Sequence, residues 1–430
     1  MKVILIYLPH PYLKRPGSHA PLGLMYIASV LKNNGIDVEI KNYTSYETQD
    51  AIEDIPEADV YGITVTSLEL LQANRFSYLI KQKMPNSIVG LGGPGTYTDE
   101  FVDYNIIDFI CKGDGEITIL DILDDIKKGD LKKVYYGKTV EDLNVLPFPA
   151  RNLISEDGGG HIFAYNQDYK GGGSTVVMTS RGCPFQCSFC SCPFFTSLNK
   201  GVRFRDPENV YKELKEIVSK YNIRQFKFSD EMFTLKRKRV FEICDLIGNL
   251  DIAWKASLRV KPFDYEMACI MREAGCKEVS FGIESFDNDV LKMLNKKTTD
   301  IDNAKALEIA DKAGLKSRVF FMIRTPGQTK ETVSKNIKWL DRVPYHLIAC
   351  TSFIPLPGSD TWINPDKYNI EILNRNLDDY NFYFYGKKEG GGDDNMTDII
   401  KIKDRSIEEL NKESLEFREY LDRAGKINKG

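Results

Sequence analysis

Short apolar runs alternate with amphipathic stretches along most of this chain, and that alternation restricts the fold more than any other feature. Within residues 1–145, the runs KVILIYL, IDVEIKN, ADVYGITV, SIVGLGG and IIDFIC read as strands. Between the first two, PLGLMYIASVLKNNG reads as a helix with Pro21 near its start and Gly35 at its end. Strands that alternate with helices build a parallel sheet covered on both faces. Ligands of such a sheet sit beyond the carboxyl ends of its strands.

Residues 175–365 alternate again, with strands TVVMTS, RQFKFSD, IAWKASLRV, EVSFGIES, KSRVFFMI and HLIACTSFI. The helix DPENVYKELKEIVSKY lies between the first two, with Asp206 as N-cap and Pro207 at its first position. Six βα units predict a partial (β/α)6 TIM-like barrel, whose chemistry sits at the carboxyl ends of its strands. The expected class is α/β: an N-terminal flavodoxin-like (Rossmann-type) parallel sheet domain over 1–145, then the barrel over 175–365. Residues 146–174 read as a flexible linker, with two prolines in LPFPARNL and glycine runs at Gly158–Gly160 and Gly171–Gly173. Residues 366–430 read as a C-terminal helical segment in which KKEGGGDDN is expected to form an exposed loop. Its last helix starts at Ser406 with Glu409 three residues on, a capping box. Ile407, Leu410, Phe417 and Leu421 give that helix one apolar stripe for packing on the barrel, and Gly425 ends it.

Length and composition bound the function. The chain has 430 residues, enough for two or three domains, with 42% hydrophobic and 28% charged residues, as in a globular protein. No apolar run reaches bilayer-spanning length, and Val3–Leu8 is too short for a signal-peptide core, so a cytoplasmic protein without a membrane partner is expected. A net charge of -4 gives no support for a nucleic-acid partner. The one dense basic run, Lys236–Arg239, reads as a solvated helix start.

Nine cysteines, an odd number, argue against a disulfide framework. Four of them fall between Cys183 and Cys192, in TVVMTSRGCPFQCSFCSCPFF. Cys183, Cys187 and Cys190 have the spacing C-x-x-x-C-x-x-C, directly after a predicted strand. Three thiolates can hold three irons of a four-iron cluster and leave the fourth iron open to a chelating ligand. A structural zinc site with Cys192 as fourth ligand is the alternative, but zinc sites usually pair two ligand knuckles, and the second is absent. On the cluster reading Cys192 is a nearby structural or substrate-facing thiol.

The loop resembles the signature of the radical S-adenosylmethionine superfamily, including the aromatic Phe189 before the last cysteine. Further resemblances follow in order over roughly residues 175–360. FSDEMFT is similar to the acidic motif at the methionine amino group, which implies roles for Asp230 and Glu231. Arg259 resembles the basic residue at the methionine carboxylate, and Glu284 and Ser285 resemble the motif near the ribose. MIRTPGQTKET and FIPLPGSD resemble the fifth- and sixth-strand turns. Arg324 departs from the family's usual glycine, and a contact with an anionic substrate group is expected of it.

Residues 1–145 resemble the cobalamin-binding domain fused to one class of these enzymes. The resemblance places Thr66, Ser67 and Leu68 after the third strand and Gly92, Gly93 and Pro94 after the fourth, beside the cofactor tail. GDGEITIL is similar to a G-E-G-E-T segment of the fused class. The motif D-x-H-x-x-G is absent, which implies a cobalamin without a histidine lower ligand from this loop; His10 is the nearest substitute.

The resemblance implies a 4Fe-4S cluster, S-adenosylmethionine and cobalamin as cofactors, and an electron donor such as flavodoxin or ferredoxin. It implies a radical enzyme, expected to be a C-methyltransferase acting on an unactivated carbon of a small molecule or peptide. A non-methylating radical reaction such as ring contraction, cyclisation or oxidation, and a non-enzymatic sensor, are the competing readings. No acid, base or nucleophile is singled out. The aromatic residues Tyr380, Phe382, Tyr383, Phe384 and Tyr385 fit either a pocket for a flat substrate or packing of the C-terminal segment.

Overall fold

The computed structural model describes residues 1–10, 20–154, 169–171, 173–385 and 399–426, without the side chains of 382–385. The first sheet contains β1 (Lys2–Tyr7), β2 (Asp37–Asn42), β3 (Val60–Thr64), β4 (Ile88–Gly92), β5 (Phe109–Lys112) and β6 (Val134–Tyr136). All its pairings are parallel, in the order β2-β1-β3-β4-β5-β6. Helices α1 (Leu22–Asn33), α2 (Thr48–Asp54), α3 (Leu70–Lys83) and α4 (Thr118–Lys128) connect it. β1 shows why both faces must be covered. Val3 and Leu5 pack with Leu24, Ala28 and Ile119 of α1 and α4, whereas Ile4 and Ile6 pack with Phe76 and Ile80 of α3. Two opposed apolar faces on one strand leave no side for water.

The second sheet contains β7 (Thr175–Val177), β10 (Gln225–Phe228), β11 (Ala253–Leu258), β12 (Cys276–Glu284), β13 (Lys316–Ile323) and β14 (Leu347–Ser352). Its strands are parallel and follow one another in sequence order. Before β10 come β8 (Ser180–Arg181), α5 (Cys192–Leu198), β9 (Arg203–Phe204) and α6 (Pro207–Tyr221). The crossovers that follow are α7 (Arg237–Ile247), α8 (Tyr265–Glu273), α9 (Asn288–Met293), α10 (Asp300–Lys312) and α11 (Thr332–Leu340). Here the strands alternate. Val319, Phe321 and Ile323 of β13 are buried beneath the helices, while Phe320 between them is 39% exposed on the opposite face. One face makes the core, and the other lines the concave interior of a partial barrel.

The chain then forms α12 (Asp360–Ile363), β15 (Ile370–Ile372), α13 (Leu377–Tyr385), β16 (Ile400–Ile402) and α14 (Ile407–Ala424). In α14, Ser406 accepts from the Glu409 N–H, and Gly425 closes the helix at φ 64°. Phe417 and Leu421 join the barrel core, whereas Leu410, Tyr380 and Ile370 join the core beneath α3. The segment therefore straps both domains rather than the barrel alone. It also contains a two-stranded antiparallel pair, β15 with β16, that helical patterning did not disclose.

Some expectations need revision. Asp206 and Pro207 begin α6, yet the Asp206 carboxylate takes no bond from the helix start. In the basic run, Arg239 is buried and donates to the carbonyls of Arg205 (2.9 Å) and Thr179 (2.6 Å), so it is not a solvated cation. Residues 146–154 are packed: Leu146, Ala150 and Arg151 are buried, and Arg151 donates to Thr175 Oγ1 and Glu213 Oε1 at 2.8 Å each. The remainder of that stretch, at 155–168 and 172, lies outside the described residues, as does KKEGGGDDN. Among the described residues no helix is long and apolar enough to cross a membrane.

Candidate active site

The cysteine loop begins where β7 ends, and the sequence around it explains how it is held. Asp230, just past β10, accepts from the Thr179 N–H and the Ser180 hydroxyl at 2.6 Å each. Its carboxylate is thus spent on clamping the approach to the loop, not left facing a ligand. Gly182 turns the chain at φ 97°, where an added Cβ would stand 3.2 Å from the Gly201 carbonyl oxygen. Next to it, Glu231 accepts from the Gly182 N–H at 3.1 Å. Glu231 is exposed to a cavity that it lines, yet the protein around it displaces enough water to push its carboxyl up to about 7.

The three expected cluster ligands sit on this loop among sulfur-directed donors. Arg259 donates to Cys187 Sγ at 3.1 Å, and the Cys192 N–H donates to Cys190 Sγ at 3.4 Å. Such bonds stabilise thiolate and tune an iron–sulfur centre. A shared hydrogen bond with Cys192 lowers the Cys183 thiol to about 6 and raises that of Cys192, while burial lifts Cys190 to about 11. Among the described residues no three cysteine, histidine or carboxylate groups converge tightly enough for one metal ion. Zinc demands that convergence; one thiolate on each of three irons does not. Cys192 caps the loop through its backbone and lies 3.8 Å from Thr196 Oγ1.

Lys296 was not foreseen. It is buried, pairs with Glu284 at 2.8 Å, and lies 5.7 Å from the Phe189 ring centre. Its carbonyl accepts from Arg259, whose guanidinium stacks 3.8 Å from the Phe185 ring centre. Two cations and the strand-end carboxylate Glu284 (at φ 63°) thus stand beside the cysteine loop. Lysines in LNKKTT carry no distinguishing pattern, so only the fold could select Lys296. Ser285 does not join this group: its hydroxyl bonds to Asn336 at 3.1 Å and takes the Asp287 N–H. Arg324 leaves the mouth altogether, donating to Ser414 and Asn411 of α14. The anionic substrate contact expected of it is replaced by a tie to the C-terminal helix.

A cavity of about 480 Å³ lies between the two strand-end mouths. From the first domain it is lined by Thr64, Thr66, Gly92, Gly93 and Pro94, and from the barrel by Met178, Arg181, Ser229 and Glu231. A Cβ at Gly92 would project into open space, whereas one at Gly93 would meet Thr64 Oγ1 at 2.8 Å. Glycine there keeps both a close-fitting wall and free volume. Ser67 and Leu68 turn away: Ser67 Oγ reaches the Pro357 carbonyl at 3.4 Å, and the Leu68 carbonyl takes a bond from Asn381 at 2.6 Å. His10 is buried 4.0 Å from Glu69 and does not line the cavity.

The GDGEITIL segment serves the domain junction. Asp114 pairs with Arg181 at 3.2 Å and with Arg203, and Glu116 also pairs with Arg181. All four side chains are buried. Arg181 stands two residues before Cys183, so acids of the first domain hold the chain that leads into the cysteine loop.

The model of the radical SAM superfamily matches residues 177–340, and that of the B12 binding domain matches residues 12–123. A protein of Pyrococcus horikoshii described as an uncharacterized methyltransferase is 34% identical over 383 residues, covering 84% of this chain and 82% of its own. The chain belongs to the cobalamin-binding radical S-adenosylmethionine enzymes. An anaerobic magnesium-protoporphyrin IX monomethyl ester cyclase of Rubrivivax gelatinosus is 25% identical over 420 residues, covering 86% of this chain and 75% of its own. The fold is shared with TsrM, a radical S-adenosylmethionine methyltransferase of Kitasatospora setae, at a TM-score of 0.65, 18% identity, and coverage of 84% and 77%.

The residues of this cobalamin-dependent radical enzyme suit its cofactors. The donor-flanked cysteine loop is built for a 4Fe-4S cluster, and the cations and carboxylates beside it suit the zwitterionic end of S-adenosylmethionine. The open space above Gly92 admits part of a flat cobalamin.

Proposed function

We propose that this enzyme transfers a methyl group to an unactivated carbon of a small molecule or peptide. The observation that carries the reading is the shared cavity: the glycine-lined mouth of the cobalamin-binding domain and the approach to the cysteine loop line one space. When bound, the reduced cluster cleaves S-adenosylmethionine to a carbon radical, and methylcobalamin supplies the methyl group. The protein's part would be to hold these groups around the shared cavity and keep water from the substrate.

On this reading Cys183, Cys187 and Cys190 ligate the cluster. Arg259 and Lys296 meet the methionine carboxylate, Glu231 the amino group and Glu284 the ribose. Thr66, Gly92, Gly93 and Pro94 border the cobalamin. A low-potential protein such as flavodoxin or ferredoxin supplies electrons. The cyclase relative supports a second reading, in which the same radical drives oxidation or cyclisation without methyl transfer. Anaerobic reconstitution with iron, sulfide and cobalamin, followed by reduction with S-adenosylmethionine bearing a deuterated methyl group, separates them. Methylation yields both deoxyadenosine and S-adenosylhomocysteine, with deuterium on product. Deoxyadenosine alone selects the second reading, and no deoxyadenosine overturns both.

A further inference from the structure

We infer that Tyr97 of the first domain is a positioning residue for the cluster: it holds α5, and through α5 the cysteine loop, across the cavity assigned to cobalamin. The inference rests on that placement of cobalamin. Tyr97 ends the turn Pro94–Tyr97, which directly follows Gly92 and Gly93. The turn is firmly held: the buried Thr96 hydroxyl lies 2.9 Å from the Gly93 carbonyl oxygen and 2.8 Å from that of Cys111. From this seat the Tyr97 ring reaches the barrel domain, 5.9 Å from the Phe194 ring centre and 5.6 Å from that of Phe195. Aromatic pairs at such separations attract beyond the area that they bury.

What α5 does for the loop gives this contact its meaning. Cys192, the first residue of the helix, donates its N–H to Cys190 Sγ at 3.4 Å. Thr196, one turn on, accepts the Cys183 N–H at 3.0 Å. One short helix thus touches the first and the last of the three cluster cysteines. Among the described residues, neither Phe194 nor Phe195 joins the packed core of either domain. Phe195 lines the shared cavity, and Phe194 lines a second cleft of about 950 Å³, onto which Cys187 and Cys190 also open. Rings that stand between two cavities take their position from the few side chains that reach them, and Tyr97 does so from the first domain.

Tyr97 and Phe195 both line the shared cavity, so a ligand that fills it packs against the pair. The helix is therefore held from two sides. Ligation through Cys183 and Cys190 fixes it from the loop, and the Tyr97 contact passes that order to the cavity wall. A preformed wall spares an incoming cofactor the cost of ordering it. Such coupling is reciprocal: cobalamin favours the loaded loop by the same factor by which the loaded loop favours cobalamin.

The test measures the affinity of the full chain for hydroxocobalamin, with and without its cluster, by anaerobic equilibrium dialysis. Loading the cluster should tighten binding about fivefold or more. Tyr97→Leu should bring the ratio of the two dissociation constants to about twofold or less, and Phe195→Leu, which breaks the same contact from α5, should do so too. Tyr97→Phe should keep the ratio, because the ring makes the contact. A direct loss of contact between Tyr97 and cobalamin weakens both forms alike and cancels in the ratio. If Tyr97→Leu cannot hold a cluster, Phe195→Leu decides. A ratio near one in the unchanged protein, or a full ratio retained in the leucine variants, overturns the inference, as does its loss in Tyr97→Phe. Absence of saturable binding in both forms overturns the placement of cobalamin and the inference with it, whereas binding that ignores the cluster overturns the inference alone, so the two failures are distinguishable.

Discussion

The two six-stranded parallel sheets obey one construction rule and spend it differently. The first buries both faces of β1, with Ile4 and Leu5 in separate cores. The second buries one face of β13 and leaves Phe320, between Val319 and Phe321, on an open concave surface. A sheet with two covered faces keeps only its strand ends for ligands. A sheet curled around an open face gains a second place to hold one.

The comparison can be broken most completely at the cysteine loop. Cys187→Ser should abolish the cluster's visible absorbance and all deoxyadenosine, while far-ultraviolet circular dichroism shows both sheets retained. A next-largest loss is expected at the junction between the domains. Arg181→Met strands the buried carboxylate of Glu116 and leaves Asp114 to Arg203, at a cost of about 3–5 kcal/mol measured by urea unfolding. Unchanged stability would mean that the acids find other partners.

Paired serine substitutions sharpen the contrast between the sheets. Ile4→Ser and Leu5→Ser should each cost about 2–5 kcal/mol, because either face of β1 is core. Val319→Ser should cost a similar amount, but Phe320→Ser about 1 kcal/mol or less. Equal losses at Val319 and Phe320 would refute the open face. The smallest effect concerns acid. Burial opposes charge on Asp114 and Glu213, yet the neighbouring arginines outweigh it and hold both carboxyls below the usual range. Their contribution is full above about pH 4 and disappears as pH falls through the lowered folded values. In Arg181→Met, unfolding midpoints should therefore vary less with pH below about 4 than in the unchanged protein.

The six strands of the second sheet and five of the first were legible because apolar runs of six to nine residues have few alternatives, whereas β6, three residues long, stands in no such run. KSRVFFMI is observed over the same residues, Lys316–Ile323, whereas IIDFIC shifted to Phe109–Lys112 because residues before Asp108 turn instead of extending. The cysteine loop was legible because its chemistry needs fixed spacing. What sequence could not supply was side-chain direction. Asp230 and Glu231 are adjacent in the same motif, yet one clamps the loop and the other faces the cavity. Ser67 follows the cavity-lining Thr66 but turns toward the barrel. Arg324 stands at a strand end and nevertheless reaches α14. Lys296 gains its place only when the loop after α9 folds back against Glu284. Partners separated by tens or hundreds of residues leave no local trace.

The bond between Arg181 and the acids of the first domain has an evolutionary consequence. A barrel separated from its partner domain would present buried arginines to solvent and lose the anchor two residues from Cys183. Domain exchange with a relative must therefore carry the acidic segment and its arginines together. The two halves are tied by these buried pairs, although each has a complete sheet of its own.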